Sequence, residues 1–473
     1  MNNKKIVVSA LLVGLCLSAV SCANYGPGND LIDREPVEDF VPTPDIDVDE
    51  ELMQKYQAHK ENAPLAFKSN NENPASDFEY SEIDGCIQID KYIGTADIAV
   101  IPAAIGGKAV TMLSESCFAE SSVRAVYVPD SVKVIKSGAF ENCKSLATLR
   151  VPFVGNGEGD SNGGAIFGSE DYISNGLKVP GSLKMLIIGE GESEIKTNAF
   201  ANFKSLEAII LPQSVKKIGQ FAFSECRSLV YVDLGGVKII DEYAFLLCQS
   251  LISIEIPDQV TEISLGAFMQ CESLKYLSLP FVGSSREENQ YIGYIFGAEN
   301  LAWNNSFVPV SLSYVALRCK DVPSEAFEGC ENIIDLVLYE VESIGERAFS
   351  NCKSLQSVIF TESVKSISAN AFANCYTLKK LEFSANSKLE SIGLQAFMNC
   401  KSLESVKLPS GVEELPAGVF YGCGSLVSVE AVNVTTVGAN AFLGANSLFS
   451  VSGIGANGVD KQGNTKLLEI LEK

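Results

Sequence analysis

Apolar positions in this chain recur with a period too long for one helix or one strand. From about residue 113 to about residue 452 a single motif repeats, roughly I-G-x-x-A-F-x-N-C-x-S-L-x-x-V-x-L-P-x-S-V. Its phenylalanines are Phe118, Phe140, Phe200, Phe223, Phe245, Phe268, Phe327, Phe349, Phe372, Phe397, Phe420 and Phe442, spaced by 22 to 25 residues except for gaps of 60 and 59. The leucine or its equivalent that opens each strand-like stretch marks the units more completely: Val123, Leu146, Leu183, Leu206, Leu229, Leu251, Leu274, Leu312, Ile333, Leu355, Leu378, Leu403, Leu426 and Leu448, hence about 14 coils. The two long gaps therefore hold one further coil each, and the coil before each is expanded. The expansions resemble one another: Val151-Pro152-Phe153-Val154-Gly155 through Ile166-Phe167-Gly168 to Val179-Pro180, and Leu279-Pro280-Phe281-Val282-Gly283 through Ile295-Phe296-Gly297 to Val308-Pro309.

A unit of about two dozen residues cannot enclose a core, so each coil must bury its apolar face against its neighbours, and stability becomes a sum over adjacent contacts. In Leu229-Val230-Tyr231-Val232-Asp233-Leu234 the apolar residues at offsets 0, 3 and 5 turn inward, while offsets 2 and 4 turn outward with the two-residue period of a strand. The Ala-Phe-x-x-Cys segment, following a turn-permitting Gly, suits a single helical turn that sets Phe and Cys on one inner face. The prediction is a solenoid of mainly parallel strands with short helical turns.

The ends of the chain differ from this array. Lys4 and Lys5 followed by the apolar run Ile6 to Val20 read as a secretory signal. The run is shorter than the ~20 residues a spanning helix needs. Ala19-Val20-Ser21-Cys22 resembles a bacterial lipobox, which implies that Cys22 becomes the lipid-modified first residue of the mature protein; an ordinary cleaved signal with an incidental cysteine is the alternative. Ala23 to Tyr80 carries 14 Asp and Glu against 4 Lys and Arg, together with Pro27, Pro36, Pro42 and Pro44, and residues 23–77 are expected to act as an acidic tether. Within it, Glu51 to Lys60 has the composition for a short helix. The net charge of −23 argues against nucleic acid and anionic bilayer surfaces, both of which reward clustered cations.

Nine cysteines (Cys143, Cys226, Cys248, Cys271, Cys330, Cys352, Cys375, Cys400 and Cys423) lie three residues after a motif phenylalanine, and Phe203 and Ala445 take the same place in two coils. A position that accepts Phe or Ala calls for a buried apolar group, so buried thiols are expected, with disulfides between adjacent rungs as the alternative. No C-x-x-C pair occurs, and the lone histidine, His59, removes Ser-His-Asp and Cys-His catalysis together with histidine-rich metal sites. The Gly155 to Gly164 run lacks phosphate-loop spacing and carries Glu158 and Asp160; Asp45, Asp47 and Asp49 start like a calcium loop, but Glu50 and Tyr56 occupy the places of its Gly and final Glu. No catalytic set, metal site or cofactor is therefore expected.

If the solenoid binds a ligand, the outward strand positions form the default surface: Tyr127, Arg150, Met185, Ile187, Ile210, Tyr231, Asp233, Glu255, Tyr276, Tyr314, Asp335, Ile359, Lys380, Glu382, Lys407 and Glu430. Tyrosine suits interfaces because it buries area and keeps a polar handle, and it also fills strand rows with no partner at all. The expansions add Tyr172, Tyr291, Tyr294 and Trp303, the last in a segment without repeat period, while Ile166-Phe167 and Ile295-Phe296 suit the role of core anchors in place of Ala-Phe.

The Ile-Gly-x-x-Ala-Phe-x-x-Cys-x-x-Leu-x-x-Val-x-Leu-Pro pattern is similar to that of the BspA-like (Treponema-type) leucine-rich-repeat surface proteins. The resemblance extends over about residues 78 to 452. Phe78-Glu79-Tyr80, Asp84-Gly85, Ile87-Gln88-Ile89, Tyr92, Ile101-Pro102 and Val110-Thr111 resemble the family's first capping unit, 78–112, with 453–473 left as a tail or cap. The resemblance implies a leucine-rich-repeat solenoid, a β/α superhelix, attached at the cell surface or outer membrane and binding an extracellular protein or glycan. A scaffolding envelope lipoprotein and a polysaccharide-binding accessory protein are the other functional expectations.

Overall fold

A computed structural model of the protein describes residues 54–59, 71–454 and 458–471. The signal segment, Cys22 and most of the acidic stretch lie outside the described residues. The array is a parallel β-solenoid. Each of the fourteen coils marked in the sequence contributes a strand of three or four residues, from Ala125–Tyr127 to Ser450–Ser452, and Ile98–Val100 adds one more at the amino-terminal end. Pairing holds the repeat in register, with Val126 opposite Leu149, Leu149 opposite Leu186, and Leu186 opposite Ile209. These central residues are fully buried, as the two-residue period of a strand requires when one face meets the core.

A second stack of two-residue strands uses the Ser-Val-x-x-Ile part of the motif. Glu194–Ile195, Lys217–Ile218, Ile239–Ile240 and Glu262–Ile263 pair in parallel, and another four run from Asp321–Val322 to Ser391–Ile392. Both expanded coils interrupt this stack. There the backbone N–H groups of Ile135 and Ile263 donate instead to Asn156 O (3.0 Å) and Ser284 O (2.8 Å) in the inserted loops. Each loop closes on a glycine with positive φ, Gly155 or Gly283, where a Cβ would stand 1.9 or 1.8 Å from a backbone oxygen. Only glycine fits there.

The Ala-Phe segment is not the helical turn that its spacing suggests. Every motif phenylalanine has a residue with positive φ two positions before it and another two positions after it, such as Phe221 and Glu225 around Phe223, or Tyr243 and Leu247 around Phe245. A right-handed helical turn excludes such residues. The reason for the difference lies in hydrogen bonding. A helical turn satisfies its N–H groups locally, whereas left-handed residues at alternate positions aim successive N–H groups to one side. Here that side is the next coil: Phe221, Phe223 and Glu225 N–H donate to Glu242 O, Ala244 O and Leu246 O, at 3.2, 2.8 and 2.8 Å. Local helical turns do occur in the expansions, at Ala165–Phe167 and Ile292–Phe296, where Ile166 and Ile295 keep the alanine's role and accept from Phe140 and Phe268 N–H. Buried Asn175 and Asn304 then reach across to the following coil, donating to Ala201 O and Ala326 O.

Side chains inside follow the same stacking. Consecutive phenylalanine rings lie nearly parallel with centroids 5.1 to 5.8 Å apart, as in Phe223–Phe245 and Phe245–Phe268. The thiols form a second ladder in which eight donate to the carbonyl of the preceding coil's phenylalanine, for example Cys226 to Phe200 O at 3.2 Å and Cys248 to Phe223 O at 3.3 Å. All twelve cysteines among the described residues are free. Burial pushes the thiol of Cys226 up to about 12 and that of Cys143 up to about 11. At the amino-terminal end, Phe78–Ile83 pairs antiparallel with Cys86–Tyr92, and the Tyr92 ring continues the aromatic stack at 5.1 Å from Phe118. At the other end, buried Asn464 closes the open turn: its Oδ1 accepts from Phe442 N–H at 3.0 Å and its Nδ2 donates to Gly438 O at 2.9 Å. The helix Thr465–Leu471 follows and buries Leu467.

Candidate functional site

In-register pairing converts the outward strand positions into two continuous rows. One runs Ala125, Thr148, Met185, Ala208, Tyr231; the other runs Tyr127, Arg150, Ile187, Ile210, Asp233. Beyond them, Tyr276 stands opposite Tyr314, and Tyr314 opposite Asp335. Position in a row does not make a side chain available. Arg150 is buried, donating to Val128 O at 2.6 Å and pairing with Asp130, and its guanidinium lies 4.8 Å over the Tyr127 ring. Tyr276 and Tyr314 meet with centroids 5.8 Å apart, and Tyr314 is buried. Asp335 is buried too and accepts from Ser357 Oγ; burial raises its carboxyl above the ordinary range, and that hydrogen bond only partly reverses the effect. In the carboxy-terminal third the rows become exposed and charged, with Lys407 and Glu430 paired at 3.0 Å.

Aromatic residues of the expansions divide into two groups. Tyr291 is buried, its hydroxyl donating to Ala298 O at 3.1 Å, and it meets half-buried Tyr294 edge-on at 6.0 Å, so this pair braces the expanded coil. Tyr172 is exposed beside Ile173 and Leu177. Trp303, 49 % exposed, lies over Phe307 with ring centroids 6.4 Å apart. The structure therefore brings together Tyr276 with Tyr314 and Tyr291 with Tyr294, and it separates Tyr127 from Tyr231 by three intervening strands.

Met185 and Ala208 form a small apolar cluster apart from the main core, with Ile187, Ile210 and Tyr231 packed against it. Residues 54–59 are helical and meet that cluster at Tyr231. The buried Tyr56 ring meets Tyr231 edge-on at 5.4 Å. His59 Nε2 is 3.3 Å from Glu207 Oε2, and Lys184 Nζ is 3.1 Å from Glu207 Oε1. Burial pushes the Glu207 carboxyl up, but the hydrogen bonds from Lys184 and His59 and the charges of Lys184 and Lys55 outweigh it, leaving the group below its ordinary value. Reading residues 23–77 as a tether missed this contact. The available signal was local: 51–60 holds Lys55, His59 and Lys60 within an otherwise acidic stretch. Among the described residues, no group of three potential metal ligands comes together, and no helix is long and apolar enough to cross a membrane.

More than half of the chain matches the model of the BspA type leucine rich repeat region, in six copies over residues 107–154, 178–291 and 320–448. The chain belongs to that family. The BspA-type match omits most of both expansions, which are the places where the turn ladder gives way to local helix. No curated protein matches the chain. Among solved structures, a leucine-rich repeat protein from Bacteroides ovatus is 22% identical, over 80% of this chain and 94% of that one, with a TM-score of 0.36. A leucine rich cell surface protein from Faecalibacterium prausnitzii is 21% identical over 81% and 95%, TM-score 0.23. The T. pallidum leucine rich repeat protein is 19% identical over 70% and 91%, TM-score 0.18. Leucine-rich-repeat proteins of this kind are binding scaffolds, and a protein-binding surface module is the coarse function the family gives.

Proposed function

We propose that the chain is a lipid-anchored cell-surface recognition module that binds an extracellular protein or glycan through its strand face. The observation that supports this reading most directly is the apolar cluster of Met185, Ile187, Ala208, Ile210 and Tyr231 on the outward side of the sheet. Such side chains add nothing to the core ladder, and contiguous outward apolar surface with an aromatic anchor is the usual composition of a recognition site. The in-register backbone holds these side chains in one arrangement, with Tyr56 of residues 54–59 against Tyr231. Trp303 and Tyr172 supply a second contact zone on the expansions. In this reading Cys22 carries the lipid, and no catalytic group or cofactor takes part.

Retention of the mature chain on an array of extracellular glycoproteins and glycans tests the assignment. Separate substitutions Tyr231→Ala, Tyr276→Ala and Trp303→Ala should lower retention at least tenfold for one or more. Binding that survives all three refutes the site, and no retention of any probe refutes the recognition role. Cys22→Ser should move the protein from the membrane to the soluble fraction, and protease treatment of intact cells should remove the anchored protein.

A further inference from the structure

Residues 54–59 and the strand face fit each other as ligand and site. We infer that the patch of Met185, Ile187, Ala208, Ile210 and Tyr231 accepts a short amphipathic helix bearing an aromatic ring between a lysine and a histidine, and that the chain's own residues 54–59 fill it in cis, so that an external protein ligand of the same chemistry must displace them. The inference rests on the strand-face reading above and narrows its ligand to a protein segment.

Three observations carry it. The Tyr56 ring is 7% exposed although it belongs to a helix of the acidic amino-terminal stretch, and what buries it includes Tyr231, an outward residue of the sheet and no part of the main core. Lys55 and His59 are four apart, hence on one helical face, and both act on the same carboxylate: His59 Nε2 lies 3.3 Å from Glu207 Oε2, and the Lys55 charge helps hold that carboxyl ionised. In a chain of net charge −23, a segment that sets the Lys55 charge and the His59 ring against Glu207 is complementary in polarity as well as in apolarity. A helix of this length has little stability of its own, so its order comes from the patch. That makes the contact displaceable, since a single helical segment of this length meets the face and not a folded domain.

The test uses the full mature chain and a fluorescein-labelled decapeptide of residues 51–60. Hydrogen exchange at 54–59 should be slowed in the parent and should accelerate at least tenfold in Tyr56→Ala and in Ile210→Glu, with the array's own protection unchanged. The Tyr56→Ala chain, its cis segment weakened, should bind the decapeptide at least tenfold more tightly than the parent, and adding Ile210→Glu should abolish that binding. A decapeptide with alanine for its tyrosine should not bind. Equal decapeptide binding by the parent and Tyr56→Ala chains, no binding by the Tyr56→Ala chain up to millimolar peptide, or fast parental exchange at 54–59 overturns the inference. An extracellular ligand that uses the strand face equally well in both chains leaves recognition standing and removes the occlusion. Decapeptide binding with no extracellular ligand of any kind does the reverse.

Discussion

Truncating Phe245 to alanine tests whether stability is a sum over neighbouring coils. The ring is fully buried and stacks on Phe223 at 5.2 Å and 9° and on Phe268 at 5.3 Å and 2°. Removing it forfeits the transfer free energy of a buried aromatic side chain and leaves a cavity that a rigid ladder collapses into poorly, about 3–5 kcal/mol together. The two stacking contacts, about 0.5–1.5 kcal/mol each, place the expected cost near the upper end of that range. Phe442, in the last coil with a motif phenylalanine, stacks on Phe420 alone, at 5.6 Å and 31°, so Phe442→Ala should cost about 1 kcal/mol less. Urea unfolding followed by far-UV circular dichroism gives the difference, and the lone tryptophan, Trp303, gives a second local signal from the second expansion. Because Phe245 lies amino-terminal to Trp303, Phe245→Ala should shift the dichroism midpoint more than the fluorescence midpoint as the halves uncouple. Equal costs for the two variants within ~0.5 kcal/mol, or coincident midpoints in Phe245→Ala, would refute nearest-neighbour stacking as the source of stability.

Other consequences are local. Exposed Gln270 has φ 59°, so Gln270→Gly should raise stability by about 0.5–1 kcal/mol, whereas Gly266→Ala in the same coil, with φ 63° and a Cβ 2.6 Å from the Tyr243 ring, should lower it by at least about 1 kcal/mol; chemical denaturation of the two variants checks the opposite signs. Cys226, Cys248 and the other rungs are buried with thiols pushed upward by burial, so a thiol reagent at pH 8 should leave them unlabelled in the native protein, while half-buried Cys86 reacts; mass spectrometry after native labelling reads the pattern. Burial raises the Asp335 carboxyl, so its ionised form costs stability above that raised pKa and the cost vanishes as pH falls and the group is protonated in folded and unfolded chains alike. Asp335→Asn should therefore raise stability at pH 7 by about 1 kcal/mol, read as a higher Tm, with the gain gone below about pH 3.5.

Most of the coils were legible because their signal is periodic: each of the fourteen opening residues leads into a strand, while the turn carrying Ile98–Val100 lacks the motif phenylalanine and fell outside the count; Ile166-Phe167 and Ile295-Phe296 hold the anchor positions that their spacing suggested. The turn conformation was not, because Phe and Cys three apart share a face in a helical turn and equally in the turns found here; what decides between them is where the N–H groups go, a property of the neighbouring coil. The asparagines, glycines and glutamines two places either side of each phenylalanine were the available signal, since Asn and Gly tolerate positive φ, but Phe221, Tyr243 and Leu247 occupy the same places and obscure it. Candidate binding residues fared similarly. Strand period put Tyr314 and Asp335 in the outward rows, yet both are buried, Tyr314 against the Tyr276 ring and Asp335 beside Ser357, and a period of two carries no information about that.

Directional hydrogen bonding also explains why the two ends differ. When the turn N–H groups all point toward the next coil, the last coil is left with donors and the first with acceptors, so a single kind of cap cannot serve both. The carboxy-terminal solution is an acceptor: Asn464 Oδ1 takes the Phe442 N–H while its Nδ2 ties the helix-bearing end to Gly438 O. The amino-terminal solution is a donor, Tyr92 N–H to Cys117 O at 2.8 Å, supplied by a strand whose tyrosine also continues the ring stack. Both expansions supply donors of the second kind inside the array: Asn175 and Asn304 donate to Ala201 O and Ala326 O of the following coil, beside the backbone bonds from Gly163 N–H to Ala199 O and from Ile292 N–H to Ala326 O. The expanded coils therefore keep the array continuous, and the strands on either side pair in register across them, Leu149 with Leu186 and Leu277 with Val315. The array thus gains loop surface at each expansion without a break in its core, and the outward apolar cluster that Tyr56 meets lies between the two expansions, where Met185 and Ala208 follow the first of them.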